Sequence, residues 1–313
     1  MTWSILYRGS LSSCNYACDY CPFAKRANTR AELARDFDEL ERFVDWVSGC
    51  PRELRLLLTP WGEALVHRAY RRALVRLSWL PRVRRVAIQT NLSAPLQDLA
   101  GAGPSLALWA SFHPSQVTLE RFLSRCLKLH ELGLRFSVGV VGLREHFEAI
   151  EELRARLPRT IYLWVNAFKR LPDYYQPGEV ERLVGVDPYF RLNLPRYRSL
   201  DRACRTGETS FTVDGRGDVR RCHFVGQVLG NVYEPGFEAC LRERLCPAER
   251  CGCHIGYVHR PELRLEEVFG EDGLLERIPA GWPELDSRLR NSGKDSPRLT
   301  RTFGHRGRSR NPR

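Results

Sequence analysis

Three cysteines, Cys14, Cys18 and Cys21, stand close together near the start of the chain, in SLSSCNYACDYCPFAKR. Thiolates are soft donors that suit iron–sulfur clusters, zinc or copper(I), and the C-x3-C-x2-C spacing lets three sulfurs converge on one small object. Three is one short of a closed tetrahedral zinc site and one more than a disulfide uses. No fourth cysteine lies nearby, and the first histidine in the chain is His67. Two chemistries meet these facts. A four-iron cluster held at three corners keeps one iron open to an exogenous ligand; a three-cysteine zinc site would be completed from a distance.

The chain holds 11 cysteines, and six of the other eight fall between 204 and 253. Cys50 and Cys126 are isolated and read as small apolar residues. With no export signal evident in MTWSILYRGS, clustered cysteines point to metal binding rather than to a disulfide framework. The run Cys246, Cys251, Cys253, His254 has the C-x4-C-x-C-H form, which leaves a zinc site open for the second cluster.

The elements that must position these residues follow from the apolar pattern. Short apolar runs at 2–8, 53–59, 84–90, 106–112, 134–141 and 160–166 predict strands, and amphipathic stretches at 32–47, 67–80, 118–133 and 144–157 predict helices between them. Continuous apolar strands joined by such helices form a parallel sheet with right-handed crossovers. About six units are too few for a closed eight-stranded barrel, so the expected fold class is α/β, an open or partial (β/α)6 TIM-like barrel. Ligands bind at the carboxyl ends of such strands. There the cysteine loop, TPWGEAL, QTN and SFHP should face one cavity. From about residue 200 the chain turns loop-rich, with a β-hairpin expected over 210–234 around DGRGD, giving a small cysteine-rich C-terminal extension.

With these residues in view, C-x3-C-x2-C with an aromatic before the last cysteine, in the loop after the first strand, resembles the signature of the radical S-adenosylmethionine (radical SAM) superfamily. The resemblance implies an enzyme that reductively cleaves S-adenosylmethionine at a 4Fe–4S cluster to a 5'-deoxyadenosyl radical, which takes hydrogen from a substrate. It implies cluster ligation by Cys14, Cys18 and Cys21, with Tyr20 beside the adenine. The family's Gly-Gly-Glu-Pro motif stands here as Trp61-Gly62-Glu63-Ala64, its first glycine and its proline replaced. Gly62 still permits close backbone approach, and Glu63 still offers a carboxylate to an ammonium. Asn91 and Ser111, and less strongly Ser137, occupy strand positions where the family places polar contacts to the cofactor.

Cys204, Gly217 and Cys222 in C-x12-G-x4-C spacing, then LGNVYE at 229–234, resemble the opening of the SPASM and twitch extensions of that superfamily. The later spacing departs from a full SPASM module. Six thiolates cannot fully ligate two four-iron clusters, so one auxiliary 4Fe–4S cluster is implied, on Cys204 and Cys222 with two of Cys246, Cys251 and Cys253. His254 is a substitute ligand. The expected organisation is 1–200 core, 201–262 auxiliary module, 263–283 C-terminal segment and 284–313 disordered basic tail. Implied partners are an electron donor such as flavodoxin or ferredoxin and a peptide, protein or small-molecule substrate.

Net charge is +12 over 313 residues, but Glu284–Arg313 holds nine Lys or Arg against three Asp or Glu, so half the excess sits in the tail. The tail is polar and aperiodic, and nucleic-acid binding is not expected from the rest. No apolar run approaches the length of a membrane span, so a cytoplasmic protein is expected. The alternatives are an RNA-modifying radical enzyme and a non-catalytic iron–sulfur or zinc redox sensor.

Overall fold

Six apolar runs become six parallel strands in chain order: β1 (Trp3–Arg8), β2 (Leu54–Leu58), β3 (Val83–Thr90), β4 (Leu106–Phe112), β5 (Arg135–Val141) and β6 (Leu163–Asn166). The structure, a computed structural model, describes residues 2–23, 26–273 and 275–282. The expected tail, 284–313, lies outside the described residues. Helices α1 (Arg30–Gly49), α2 (Arg68–Ser78), α3 (Leu119–Glu131) and α4 (Phe147–Arg156) cross over between strands. The β3 to β4 connection has only a short 3-10 turn at Gln97–Leu99.

Helix starts follow local chemistry. Thr29 caps α1 and forms a reciprocal box with Glu32, and Thr118 caps α3 by accepting from Arg121 N. Leu40, Phe43, Val44 and Val47 recur at helical spacing on α1 and are buried. They join the large core between the helices and the outer face of the sheet.

Beyond β6 come α5 (Pro177–Val186), α6 (Phe190–Asn193) and β7 (Tyr197–Arg198). The chain then returns as β8 (Ser210–Asp214), which pairs parallel with the free edge of β1, Arg8 opposite Asp214. Antiparallel β9 (Asp218–Arg220) and β10 (Val228–Asn231) complete an open sheet in the order β10-β9-β8-β1-β2-β3-β4-β5-β6. The expected hairpin therefore exists, but it extends the main sheet across residue 200. Its turn needs a glycine: Gly217 has φ +89°, and a Cβ there would lie 2.4 Å from the Tyr233 ring. The C-terminal elements are β11 (Arg250–Cys251), paired with β7, then α7 (His254–Tyr257) and α8 (Glu266–Gly273), which kinks at Gly270.

The inner face of the sheet holds a second cluster of Leu6, Leu57, Ala87, Ala107, Trp109, Tyr162 and Trp164. Small residues make room for large ones: a Cβ on Gly139 would lie 1.9 Å from the Trp164 ring. Ile255 and Leu275 from the C-terminal part fill the same interior. At the amino ends of the strands, fully buried Glu276 pairs with Arg85 (3.2 Å) and Arg135 (2.9 Å). Ser137 Oγ donates to Glu276 O at 2.7 Å and accepts from Trp164 Nε1 at 3.1 Å. Ser137, considered from sequence as a weaker ligand contact, is thus part of this floor. Among the described residues no helix is long and apolar enough to cross a membrane.

Removing one partner of a buried ion pair leaves the other charge uncompensated. Glu276→Ala should therefore cost about 2–4 kcal/mol, discounted for the partly exposed Arg135. Urea unfolding should show a lower midpoint at unchanged slope, with a smaller drop for Glu276→Gln, which keeps the hydrogen-bonding shape.

Candidate functional site

The loop leaving β1 is held by buried polar groups before its cysteines are reached. Asp36, buried on α1, accepts from Leu11 N at 2.8 Å and from Tyr70 Oη at 3.0 Å. Asn28 Oδ1 accepts from Ser12 N and Ser13 N, both at 2.8 Å. From the other side comes the turn after β2. A Cβ on Gly62 would lie 1.8 Å from Ser13 O, and Glu63 N donates to that oxygen at 3.1 Å. The glycine does serve a close backbone approach, and the partner is the cysteine loop itself.

Glu63 is 2% exposed. Its Oε1 accepts from Thr90 Oγ1 at 2.8 Å and Leu65 N at 3.1 Å, and its Oε2 accepts from Asn91 N at 2.5 Å. Burial pushes its carboxyl up to about 7, against the pull of these donors. Asn91 in turn donates from Nδ2 to Asn15 Oδ1 at 3.1 Å and approaches Cys14 Sγ at 3.9 Å. The next residue, Leu92, sits at φ +56°, a left-handed conformation held by Leu92 N to Thr90 Oγ1 (3.0 Å) and Ser93 N to Asn91 Oδ1 (2.9 Å).

Cys14, Cys18, Cys21, Gly62, Glu63, Asn91 and Ser111 line one cavity of about 550 Å³. That volume is within the range of roughly 300–1,000 Å³ typical of small-molecule sites. Tyr16 N and Phe23 N each donate to a sulfur, Cys14 Sγ and Cys21 Sγ, at 3.4 Å. Burial opposes ionisation, raising the Cys14 thiol and pushing Cys18 up to about 11. Backbone donors thus await thiolates that the pocket does not itself stabilise. A soft metal centre on the three sulfurs would supply the missing positive charge, so the donor set fits an iron–sulfur cluster.

Tyr20 is not among the lining residues of this cavity. Its hydroxyl is 2.7 Å from His113 Nδ1, the same nitrogen that lies 3.4 Å from Cys18 Sγ. His113 lines the cavity, and burial holds its imidazole neutral by pushing the pKa down to about 4. The residue was not singled out from sequence, although the signal was present in SFHP at the end of the fourth strand.

In the second cysteine set, Cys222 lies within electrostatic reach of Cys204 and Cys246, and Cys251 within reach of Cys222, Cys253, Cys204 and Cys246. Buried Arg221 joins the segments that carry them. It donates to Leu245 O at 2.5 Å, to Arg244 O at 3.2 Å and to Thr206 Oγ1 at 3.4 Å, and Thr206 Oγ1 is 3.1 Å from Cys204 Sγ. Burial pushes Cys251 up to about 12. Cys253 is exposed, and the cations that act on it are Lys169, Arg277 and Arg8. His254 packs edge-on against Trp109, Tyr257 and Phe269. Cys240 packs against Gly230, and Cys50 and Cys126 are buried in the core. Among the described residues no three Cys, His, Asp or Glu side chains meet in the arrangement of a single-ion site.

No family model and no curated protein matches the chain. Solved structures do. Native anSMEcpe with bound AdoMet and the Cp18Cys peptide is similar at 12% identity and TM-score 0.50, covering 76% of this chain and 82% of that one. The same protein with the Kp18Cys peptide is similar at 14% identity and TM-score 0.50, with the same coverage. BtrN in complex with AdoMet and 2-DOIA overlays more loosely, at 16% identity, TM-score 0.35, and 76% and 85% coverage. The likeness to anSMEcpe shows the fold, a mostly parallel α/β sheet of the partial-barrel kind.

Gly62→Ala must push two loops apart, because the clash is with backbone at 1.8 Å. A loss of about 1–3 kcal/mol is expected in chemical unfolding. Gly49→Ala, with nothing within 4 Å of the added methyl, is the control and should shift stability by no more than about 1 kcal/mol.

Proposed function

We propose that the chain is a radical SAM enzyme, with Cys14, Cys18 and Cys21 holding the 4Fe–4S cluster and S-adenosylmethionine lying along Gly62, Glu63, Asn91 and Ser111. The observation that carries this is the meeting of the three thiols and those four residues on the wall of one cavity. When bound, the cluster supplies the electron that cleaves S-adenosylmethionine to methionine and a 5'-deoxyadenosyl radical, which abstracts hydrogen from the substrate. The protein's own part is to hold and to exclude. Asp36 and Asn28 fix the path of the cysteine loop, and the Glu63 hub fixes the two turns facing it. Part of the Glu63 carboxylate is engaged by backbone, and an incoming ammonium is the cation that would draw it fully to the ionised form.

For the auxiliary site we infer Cys204, Cys222, Cys246 and Cys251 as the ligands, supported by their mutual electrostatic reach and by the Arg221 network. Cys253 is within reach of Cys251 but is placed outside that set because the other charges acting on it are the cations Lys169, Arg277 and Arg8. The organisation into a core to 200, an auxiliary module over 201–262 and a C-terminal segment from 263 goes with this assignment. The anSMEcpe structures contain peptides, which makes a peptide the first substrate class to test here.

The test is anaerobic reconstitution with iron and sulfide counting, followed by an assay for 5'-deoxyadenosine with dithionite and S-adenosylmethionine. Two clusters give about eight irons per chain. Cys18→Ala should abolish 5'-deoxyadenosine and leave about four irons, Cys246→Ala should also leave about four, and Cys253→Ala should keep about eight. Zinc in place of iron, or undiminished cleavage in Cys18→Ala, sinks the assignment. Loss of iron in Cys253→Ala sinks the choice of auxiliary ligands alone.

A further inference from the structure

Trp61 is a wall shared by two cavities. One is the cysteine-lined cavity; the other, of about 580 Å³, is lined by Arg8, Glu39, Asp214, Arg220 and His223 among others. Both open at the carboxyl ends of the parallel strands, since Arg8 ends β1 and Asp214 ends β8.

Arg8 is held in a defined plane. Its guanidinium lies 3.9 Å from the Trp61 ring centroid, and its Nε donates to Thr59 O at 2.6 Å. The two terminal nitrogens donate to none of the described residues. The carboxylates of the same cavity are engaged elsewhere. Asp214 accepts from Arg220 Nη1 at 2.8 Å, from Arg216 N at 3.0 Å and from Asp218 N at 3.1 Å, and Glu39 accepts from Ser10 Oγ at 2.7 Å. Burial weakens the hold of Arg8 on its proton, down to about 10, and no carboxylate offsets that cost.

Two further cations, Lys169 and Arg277, lie near Cys253, outside the cavity that Arg8 lines. Arg277 is 3% exposed, and its Nε and Nη1 have no hydrogen-bond partner among the described residues. Lys169 is satisfied by Gly252 O at 2.7 Å and by Asn193 Oδ1 and Pro195 O at 3.2 Å, but it still adds to the positive field. Partly buried guanidinium donors left unmade are costly, and a carboxylate is the acceptor whose two oxygens match the fork. Arg216 and Arg220 are neutralised by Asp218 and Asp214, so the cations left at the cavity are Arg8 and the exposed Arg35, with Glu39 as the remaining carboxylate; the net single positive charge suits a monoanion.

We propose that Arg8 anchors a carboxylate of the substrate in the cavity across Trp61 from the three-cysteine site. The word substrate rests on the function proposed above; the anion site itself does not. Trp61 lines both cavities, so a molecule gripped at Arg8 lies against the wall of the three-cysteine site.

The test uses the full reconstituted chain and N-acetylalanine as the probe, with its neutral amide and inorganic phosphate as comparators. Phenylglyoxal labelling of arginines in the wild type, mapped by mass spectrometry, should show Arg8 protected by N-acetylalanine and not by the amide, with exposed Arg216 unprotected. In calorimetry Arg8→Gln should weaken N-acetylalanine binding by about tenfold or more, and Arg8→Lys, which keeps charge but loses the fork, by less. Equal protection by the neutral amide, no protection at all, or unchanged affinity in Arg8→Gln overturns the proposal. Stronger protection by phosphate overturns the carboxylate assignment. Formation of 5'-deoxyadenosine is read on the same wild-type sample. Protection of Arg8 without it keeps the anion site and fails the radical reading, and the reverse pattern fails the anion site alone.

Discussion

The mouth of this fold depends on one buried carboxylate. Glu63 leaves water almost completely, a cost recovered only if its oxygens find donors. They find three, in Thr90 Oγ1, Asn91 N and Leu65 N, while the same residue's N–H reaches Ser13 O. One residue therefore ties the turn after β2 to the turn after β3 and to the cysteine loop after β1. Three strands can be parallel and adjacent without their loops converging. Here the carboxylate is costly to bury unless the turns after β2 and β3 are in place, and the residue's own N–H then holds the cysteine loop.

Sheet order sets what flanks the first cysteine loop. β1 lies between β2 and β8, so the loop it feeds is flanked on one side by the Glu63 turn and on the other by the hairpin that leads to Cys222. Arg8, at the end of β1, is then near both Trp61 and Cys253. Closing the opposite end falls to the C-terminal segment, whose Glu276 gathers Arg85 and Arg135 beneath the aromatic layer of Trp109 and Trp164. The interior is thus apolar in the middle, sealed by ion pairs below and polar above.

Much of this was legible in the residues. Strands buried on both faces leave continuous apolar runs, and β4 spans the same 106–112 that its run defines. Strand-end motifs marked the cavity because a parallel sheet with crossover helices must turn all its carboxyl ends one way. What stayed hidden was long-range. Nothing in SFTVD distinguishes a strand that begins a separate module from one that adds to the edge of β1, since both need the same apolar alternation. Glu276 in its loop looks like any surface acid, and only the three-dimensional approach of Arg85 and Arg135 makes it a floor. The choice among Cys246, Cys251 and Cys253 was likewise beyond spacing, because an extended C-x-C puts both thiols on one face and spacing alone does not separate them.

His113 shows how a position can be legible and its role not. SFHP marked the end of β4, and Ser111 was the natural polar choice there. The imidazole goes further into the site: its Nδ1 is 2.7 Å from Tyr20 Oη and 3.4 Å from Cys18 Sγ. A neutral imidazole has one N–H, and a single nitrogen cannot donate and accept at once. While Cys18 is a thiol, Nδ1 can accept from Tyr20. If Cys18 were held as a metal-bound thiolate, the favoured arrangement would have Nδ1–H facing sulfur, and Tyr20 would turn its proton elsewhere. Tyr20, which also bonds Cys18 directly, is in this way coupled to the sulfur a second time through a ring that follows β4, a relation that spacing along the chain cannot express.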